Sequence, residues 1–352
     1  MQWFAACSWL ACPERLSRGD VFGQDCPATG KAQNQMTDHS EIAQAVEAGR
    51  YLMICGPTAA GKSAVALALA EQAGGTVINA DAMQLYSDLR VVTARPGADD
   101  EARAPHSLYG VVDGSERASV ASWLDLAATA VDAARKAGSL PIVVGGTGMY
   151  LQAAREGIAP IPEVPVEIHQ ACLDELAAGG GAAFRAALAR LDRETAARLF
   201  DGDSQRLVRA MGVVRATGRP ISAWQSDPHQ GAIAGQAIAI SVMPPRPDIY
   251  ARIDHRFAQM MEEGAVEEVE ALAARRLDPS LPVMKAIGVR EILAMQAGEI
   301  NRARAIELAS RDSRHYAKRQ MTWIRNNYRA QMSIDEKFSA RFTEDIFSIL
   351  LK

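Results

Sequence analysis

No run of eighteen or more apolar residues occurs in this 352-residue chain, so no helix is expected to span a membrane. A surplus of positive charge is missing too. The formal net charge is -4, and any contact with nucleic acid must therefore rest on local basic clusters. Cysteine is sparse. Cys7, Cys12, Cys26, Cys55 and Cys172 form neither zinc-type spacing nor a secreted disulfide framework, and a reducing, cytoplasmic compartment is expected. Cys55 reads as a small apolar side chain in a buried strand. The opening MQWFAACSWLAC has no basic leader, and Pro13-Glu14-Arg15 breaks its apolar run. Residues 1–40 are expected to be a disordered extension without periodicity, and Met36, ahead of a helical lead-in over Ile42–Ala48, is the expected true start.

What is present is a phosphate-binding loop. Gly56, Pro57, Thr58, Ala59, Ala60, Gly61, Lys62 and Ser63 fit G-x-x-x-x-G-K-[ST] at every fixed position. Tyr51–Cys55 before the loop reads as a buried strand, and Ala64–Gln72 after it as an Ala/Leu-rich helix. Strand, loop and helix start bring backbone N–H groups and the helix dipole onto one anion. Lys62 would reach the terminal phosphates and the Ser63 hydroxyl a magnesium ion.

Further strands are expected at Thr76–Ala80, Pro141–Val144 and Ile238–Val242, with a helix over Ser119–Lys136 ended by Gly138. Alternating strands and helices predict an α/β fold, a P-loop doubly wound parallel sheet with a helical insertion and a helical C-terminal region. The loops 56–63, 81–86 and 145–148 then all fall at the carboxyl ends of strands, where such sheets bind ligands. Pro160, Pro162 and Pro165 mark a stiff linker. The expected organisation is a core of 41–159 and 236–330 and a helical insertion of 160–235. Residues 331–352 form a tail without a readable motif. Helices are expected over roughly 247–276, 285–297 and 301–329.

The third strand ends in Gly145-Gly146-Thr147, where a nucleotide kinase would normally carry a metal-holding acid. The loop is therefore suited to gripping a diphosphate. Asp81, at the mouth of the second strand, has two readings: a turn former, as Asp often is, or a general base facing the phosphate site. Local positive charge gathers late in the chain. Arg311, Arg314, Lys318 and Arg325 share one helical face, with His315, Tyr316 and Trp323 among them, which suits either a solvated helix or a polyphosphate partner. Gln205-Arg206-Leu207-Val208-Arg209 is a second cluster, equally a surface helix face or an RNA contact.

These segments in order, GPTAAGKS, NADAMQLY, TARP, PHSLYGVVD, VVGGTGMYLQA, DSQRLVRAMGVVRATGRPIS, YARIDHRFAQMMEEGAVEEV, MKAIGVRE and YAKRQMTWIR, resemble the signatures of the tRNA dimethylallyltransferase family, the bacterial tRNA isopentenyltransferases. The resemblance covers about residues 50 to 330. It implies transfer of a dimethylallyl group from dimethylallyl diphosphate to the exocyclic amine of the adenosine just after the anticodon, with Mg2+ as the metal. By the same resemblance Asp81 is the base, Thr147 orients the diphosphate and Arg256 is a second diphosphate contact. The segments Asp81-Ala82-Met83-Gln84, Gln205 to Arg209 and Lys285-Ala286-Ile287-Gly288-Val289-Arg290 would touch the tRNA anticodon stem-loop. Arg252 lies one turn from Arg256, so one of the two would aim into the site and the other stay on its rim. Departures from the family pattern are Ala82 for a usual Ser, Val289 for a frequent Tyr, and His169 where an arginine that assists catalysis often stands. A monomer suffices. The competing readings are a P-loop nucleotide or small-metabolite kinase and a non-catalytic RNA-binding P-loop protein.

Overall fold

The computed structural model describes residues 39–336 and 338–352. The expectations for the N-terminal extension and for a start at Met36 lie outside the described residues, except that His39 and Ser40 open a helix. Six strands, β1 (Arg50–Cys55), β2 (Gly75–Asn79), β3 (His106–Ser107), β4 (Leu140–Gly145), β5 (Gln236–Val242) and β6 (Met332–Ile334), form one sheet in the order β3-β2-β4-β1-β5-β6. Every pairing is parallel. Helix α1 (His39–Glu47) leads into β1, α2 (Lys62–Ala73) follows the glycine loop and α3 (Ala98–Arg103) precedes β3. α4 (Val120–Lys136) runs between β3 and β4, and α5 (Gly148–Glu156) leaves the second glycine turn. Next come α6 (Val166–Ala189), α7 (Arg193–Arg198), α8 (Ser204–Thr217) and α9 (Ile221–Gln225). After β5 the chain is helical again: α10 (Arg246–Glu262), α11 (Ala265–Ala274), α12 (Val289–Gln296), α13 (Arg302–Asn327) and finally α14 (Ala340–Leu350).

Strand alternation explains the layers. In β1, Leu52 and Ile54 join Val65 and Leu69 of α2 and Ile346 and Phe347 of α14 on one face. Tyr51, Met53 and Cys55 point the other way, against Trp123 of α4 and Tyr150 of α5. A parallel sheet covered on both faces needs such unbroken apolar strands. α4 is held at its start by Ser119, whose side chain accepts the Ser122 N–H, a cap that contributes about 1 kcal/mol.

Helices α6 to α9 gather their own apolar cluster around Phe184, Leu188, Leu207 and Met211. The chain leaves for them at Ile158 and returns at Gln230, where the two backbones exchange hydrogen bonds of 2.9 Å in each direction. The helix expected over 247–276 is two helices, because Gly264 adopts a left-handed φ of +106° between α10 and α11. The sequence reading left out β3, β6 and α14, and also the short helices α3 and α5. The first two are edge strands too short for a visible period. The segment expected as a bare tail lies on the core: Ile240 to Val242 of β5 pair with Met332 to Ile334.

Candidate functional site

The loops after β1, β2 and β4 meet at the carboxyl edge of the sheet, around a cavity of about 470 Å³. Its lining includes Thr58, Gly61, Lys62, Ser63, Asp81, Gln84, Tyr109, Gly145, Arg252 and Arg256. Two glycines make this convergence feasible. Gly61 precedes α2 at φ +96°, a conformation that other residues rarely adopt. At Gly145 a Cβ would stand 2.0 Å from the Ala80 carbonyl, so only glycine lets β4 end against the Asp81 strand. The amide of Ala60 is taken by the Pro57 carbonyl and that of Thr58 by Gln320. Those of Gly61, Lys62 and Ser63 have no hydrogen-bond partner among the described residues. Three free amides at a helix start form an anion cradle.

Asp81 closes a turn and also faces the cavity. Its Oδ1 accepts the Met83 N–H at 3.0 Å, a turn bond, while the residue also lines the cavity. The neighbouring Ala82 N–H donates to Thr147 Oγ1 at 3.0 Å. Gln84 reaches across with Nε2 to the carbonyls of Thr93 and Ala94, fixing a further wall. α10 buries Ile249, Ile253, Phe257 and Met260, which leaves Arg252 and Arg256 on an adjacent stripe facing the loop. Arg256 is half-buried and donates from Nη2 to Thr58 Oγ1 at 2.7 Å. Arg252 is exposed, with Nη1 3.4 Å from the Ala60 carbonyl. One arginine aims inward and the other stays on the rim.

Electrostatics tie these groups together. Burial holds Lys62 below the ordinary lysine range, and the Asp81 carboxylate opposes that shift. Arg256 is lowered by burial in the same way and is supported by Asp81. Lys62 Nζ donates to the Pro57 carbonyl at 2.9 Å, so the ammonium lies along its own loop. Burial pushes the Cys55 thiol up to about 12 despite nearby Lys62, which leaves it an inert apolar group.

Other expected site residues are placed elsewhere. His169 is exposed on the first turn of α6 and does not line the cavity. Of the segment 205–209, Gln205, Arg206 and Arg209 are exposed, but Leu207 and Val208 are buried in the α6–α9 cluster. Of 285–290, Lys285 and Arg290 are exposed, Ile287 is half-buried, and Ala286, Gly288 and Val289 are buried. These buried members cannot offer side chains to a partner. Apolar residues alternate with the cations because each segment must also pack. On α13, Arg314 is half-buried and paired with Asp254 and Arg311 with Asp312, whereas exposed Lys318 and Arg325 have no ion-pair partner among the described residues. Tyr109 in the cavity and Gln320 beneath it were not singled out from sequence, although both stand inside the quoted motifs PHSLYGVVD and YAKRQMTWIR.

A glycine loop with free amides, a lysine, inward arginine and facing carboxylate at the edge of a parallel sheet define a P-loop enzyme built for a phosphorylated substrate. The family described as IPP transferase matches residues 84–327, and that described as isopentenyl transferase matches 49–109. A tRNA dimethylallyltransferase of Rhodospirillum rubrum is 50% identical over 294 residues, 83% of this chain and 90% of the relative. One from Parvibaculum lavamentivorans is 45% identical over 302 residues, 86% of this chain and 96% of its own. Among solved structures, the tRNA isopentenylpyrophosphate transferase of Bacillus halodurans aligns with a TM-score of 0.61 and 28% identity, covering 86% of this chain and 96% of that one. A eukaryotic dimethylallyltransferase acting on tRNA aligns with a TM-score of 0.68 and 26% identity, covering 78% and 69%. The chain belongs to the IPP transferase family of tRNA dimethylallyltransferases, which are prenyl-type transferases. A kinase is not favoured by any of these relatives.

Proposed function

We propose that the protein moves the dimethylallyl group of dimethylallyl diphosphate onto the exocyclic amine of the adenosine immediately 3′ of the anticodon, in tRNAs reading codons that begin with U. The observation that carries this reading is Asp81 sharing one cavity with Lys62 and Arg256. An adenine amine is a weak nucleophile because its lone pair is delocalised into the ring. Asp81 accepts its proton as the nitrogen–carbon bond forms. The allylic carbon–oxygen bond breaks, and its electron pair leaves on diphosphate. That charge meets the free loop amides, Lys62 and Arg256. Thr147 accepts the Ala82 N–H and steadies the loop that carries Asp81, without lining the cavity itself.

Magnesium is the metal in this proposal. Ser63 and Asp81 both line the cavity, and no group of three or more His, Cys, Asp or Glu gathers among the described residues. Such a sparse donor set fits an ion that keeps its waters and takes substrate oxygens. Ser63 would hold it, and its charge would offset that of the diphosphate. The target base is swung out of its stack to reach Asp81. Gln205, Arg206, Arg209, Lys285 and Arg290 are the exposed members of the segments proposed to hold the anticodon stem-loop, with Lys318 and Arg325 of α13 beside them in the proposal.

The test is to incubate the protein with labelled dimethylallyl diphosphate, unmodified tRNA and ATP. Label in an adenosine beside the anticodon is expected. Phosphate transfer from ATP with no label in the tRNA would overturn the reading.

A further inference from the structure

One face of α13 touches two of the three loops that build the cavity, those after β1 and β4. Gln320 and Trp323 stand three residues apart on one side of the helix. Gln320 is 5% exposed, and each end of its amide is used. Its Oε1 accepts the Thr58 N–H at 2.8 Å, and its Nε2 donates to the Gly146 carbonyl at 2.9 Å. A single side chain thus joins the loop after β1 to the turn after β4. The fit is close: a Cβ on Gly146 would lie 2.2 Å from Gln320 Nε2. Thr147, the residue after Gly146, accepts the Ala82 N–H at 3.0 Å, which ties the loop after β2, and Asp81 with it, to the same turn. One turn later, the Trp323 ring lies on Gly148, where a Cβ would meet it at 2.4 Å.

We propose that Gln320, with Trp323 packed beside it, is a positioning residue that sets the separation between the Asp81 carboxylate and the diphosphate cradle. Its Oε1 fixes the loop that grips diphosphate and withdraws the Thr58 amide from the anion. Its Nε2 fixes the turn after β4, from which Thr147 holds the loop that carries Asp81. Reacting groups must sit within a fraction of an ångström of their productive geometry, so loosening either link should be visible in rate before it is visible in fold. The inference rests on the reaction proposed above, but one arm of its test does not.

The experiment compares Gln320→Met and Gln320→Glu with wild type in the full chain. It reads kcat, KM for dimethylallyl diphosphate, tRNA affinity, thermal melting and direct binding of inorganic diphosphate. Gln320→Met loses both bonds and is expected to weaken diphosphate binding about tenfold, with tRNA affinity unchanged. Gln320→Glu keeps an acceptor for the Thr58 N–H and is expected to fall between wild type and Gln320→Met. Gln320→Met is also expected to lower kcat about tenfold. Wild-type behaviour in Gln320→Met would overturn the proposal. So would parallel losses of diphosphate binding, kcat and tRNA affinity that track melting temperature in every variant, the mark of a purely structural face. Should Gln320→Met not fold, Gln320→Glu with unaltered diphosphate binding is the refuting result. Diphosphate binding needs no turnover. A wild-type chain that binds diphosphate yet never prenylates tRNA therefore refutes the reaction alone.

Discussion

Only one of the two Asp81 carboxylate oxygens is engaged. Oδ1 closes a turn by accepting the Met83 N–H, and Oδ2 has no hydrogen-bond partner among the described residues. An asparagine at this position keeps the turn bond and removes the base. Asp81→Asn is therefore expected to lower kcat by roughly 10²–10⁴ while melting temperature and tRNA affinity stay at wild-type values. Single-turnover rates beside a binding titration measure the split, and a loss carried by affinity instead would make Asp81 a contact residue. Lys62 supplies the second residue-scale expectation. Its folded pKa is lowered by burial, so its charge disappears at a lower pH than that of a solvated lysine. Inorganic diphosphate binding by the free protein should weaken with rising pH before the ordinary lysine range is reached. Lys62→Arg, which cannot deprotonate there, should flatten that profile. Identical profiles for the two proteins would assign the titration to another group.

At the scale of elements, Asp192 organises the cluster of α6 to α9. It is 2% exposed, and its oxygens accept the Thr195 N–H and hydroxyl and the Ser222 N–H and hydroxyl. Burial alone would raise its pKa, but these hydrogen bonds outweigh burial and the net shift is downward. A depressed folded pKa stabilises the native state above the unfolded carboxylate range, and that stability is lost as pH falls through the folded value. Asp192→Asn removes the charge while keeping one acceptor. It is expected to destabilise the protein by about 1–3 kcal/mol near neutral pH and to flatten the acid limb of a urea-unfolding series. An acid limb as steep as that of wild type would show that other carboxylates control it.

Across the whole molecule, the C-terminal segment seals the sheet. β6 covers the edge of β5, and Phe347 of α14 is 2% exposed among the residues of the β1 face. An open parallel edge and an uncovered apolar face both invite aggregation. Phe347→Ala should cost about 3–5 kcal/mol of stability, read from denaturant midpoints. An effect below about 1 kcal/mol would mean that α14 does not hold this position in solution. Charge at this scale predicts a second behaviour. The chain is acidic overall, so tRNA must be held by local cations, and its affinity should fall steeply with salt. Lys318→Ala combined with Arg325→Ala should reduce the slope of log affinity against log salt by about 1–2; an unchanged slope would remove α13 from the interface.

Local chemistry is why so much could be read from the residues alone. A glycine loop needs its glycines in fixed order, and apolar strands covered on both faces need continuous runs. β1, α2, β2, α4, β4 and β5 were therefore legible to within a residue or two. The meeting of Asp81 and Lys62 at one cavity was legible too, because each lies a few residues from a strand end and the chain has little freedom there. β3, β6 and α14 were not legible. Their positions are fixed by partners far away in sequence, such as β5 for β6, and nothing in a three-residue run records that pairing. The split of 205–209 and 285–290 into exposed cations and buried apolar residues was likewise settled by packing. So was the role of Gln320, whose two partners are 262 and 174 residues distant. Sequence by itself determined which loops meet at the cavity. Only the folded chain decided how far apart they stand, because that distance is imposed by a helix from the other end of the molecule.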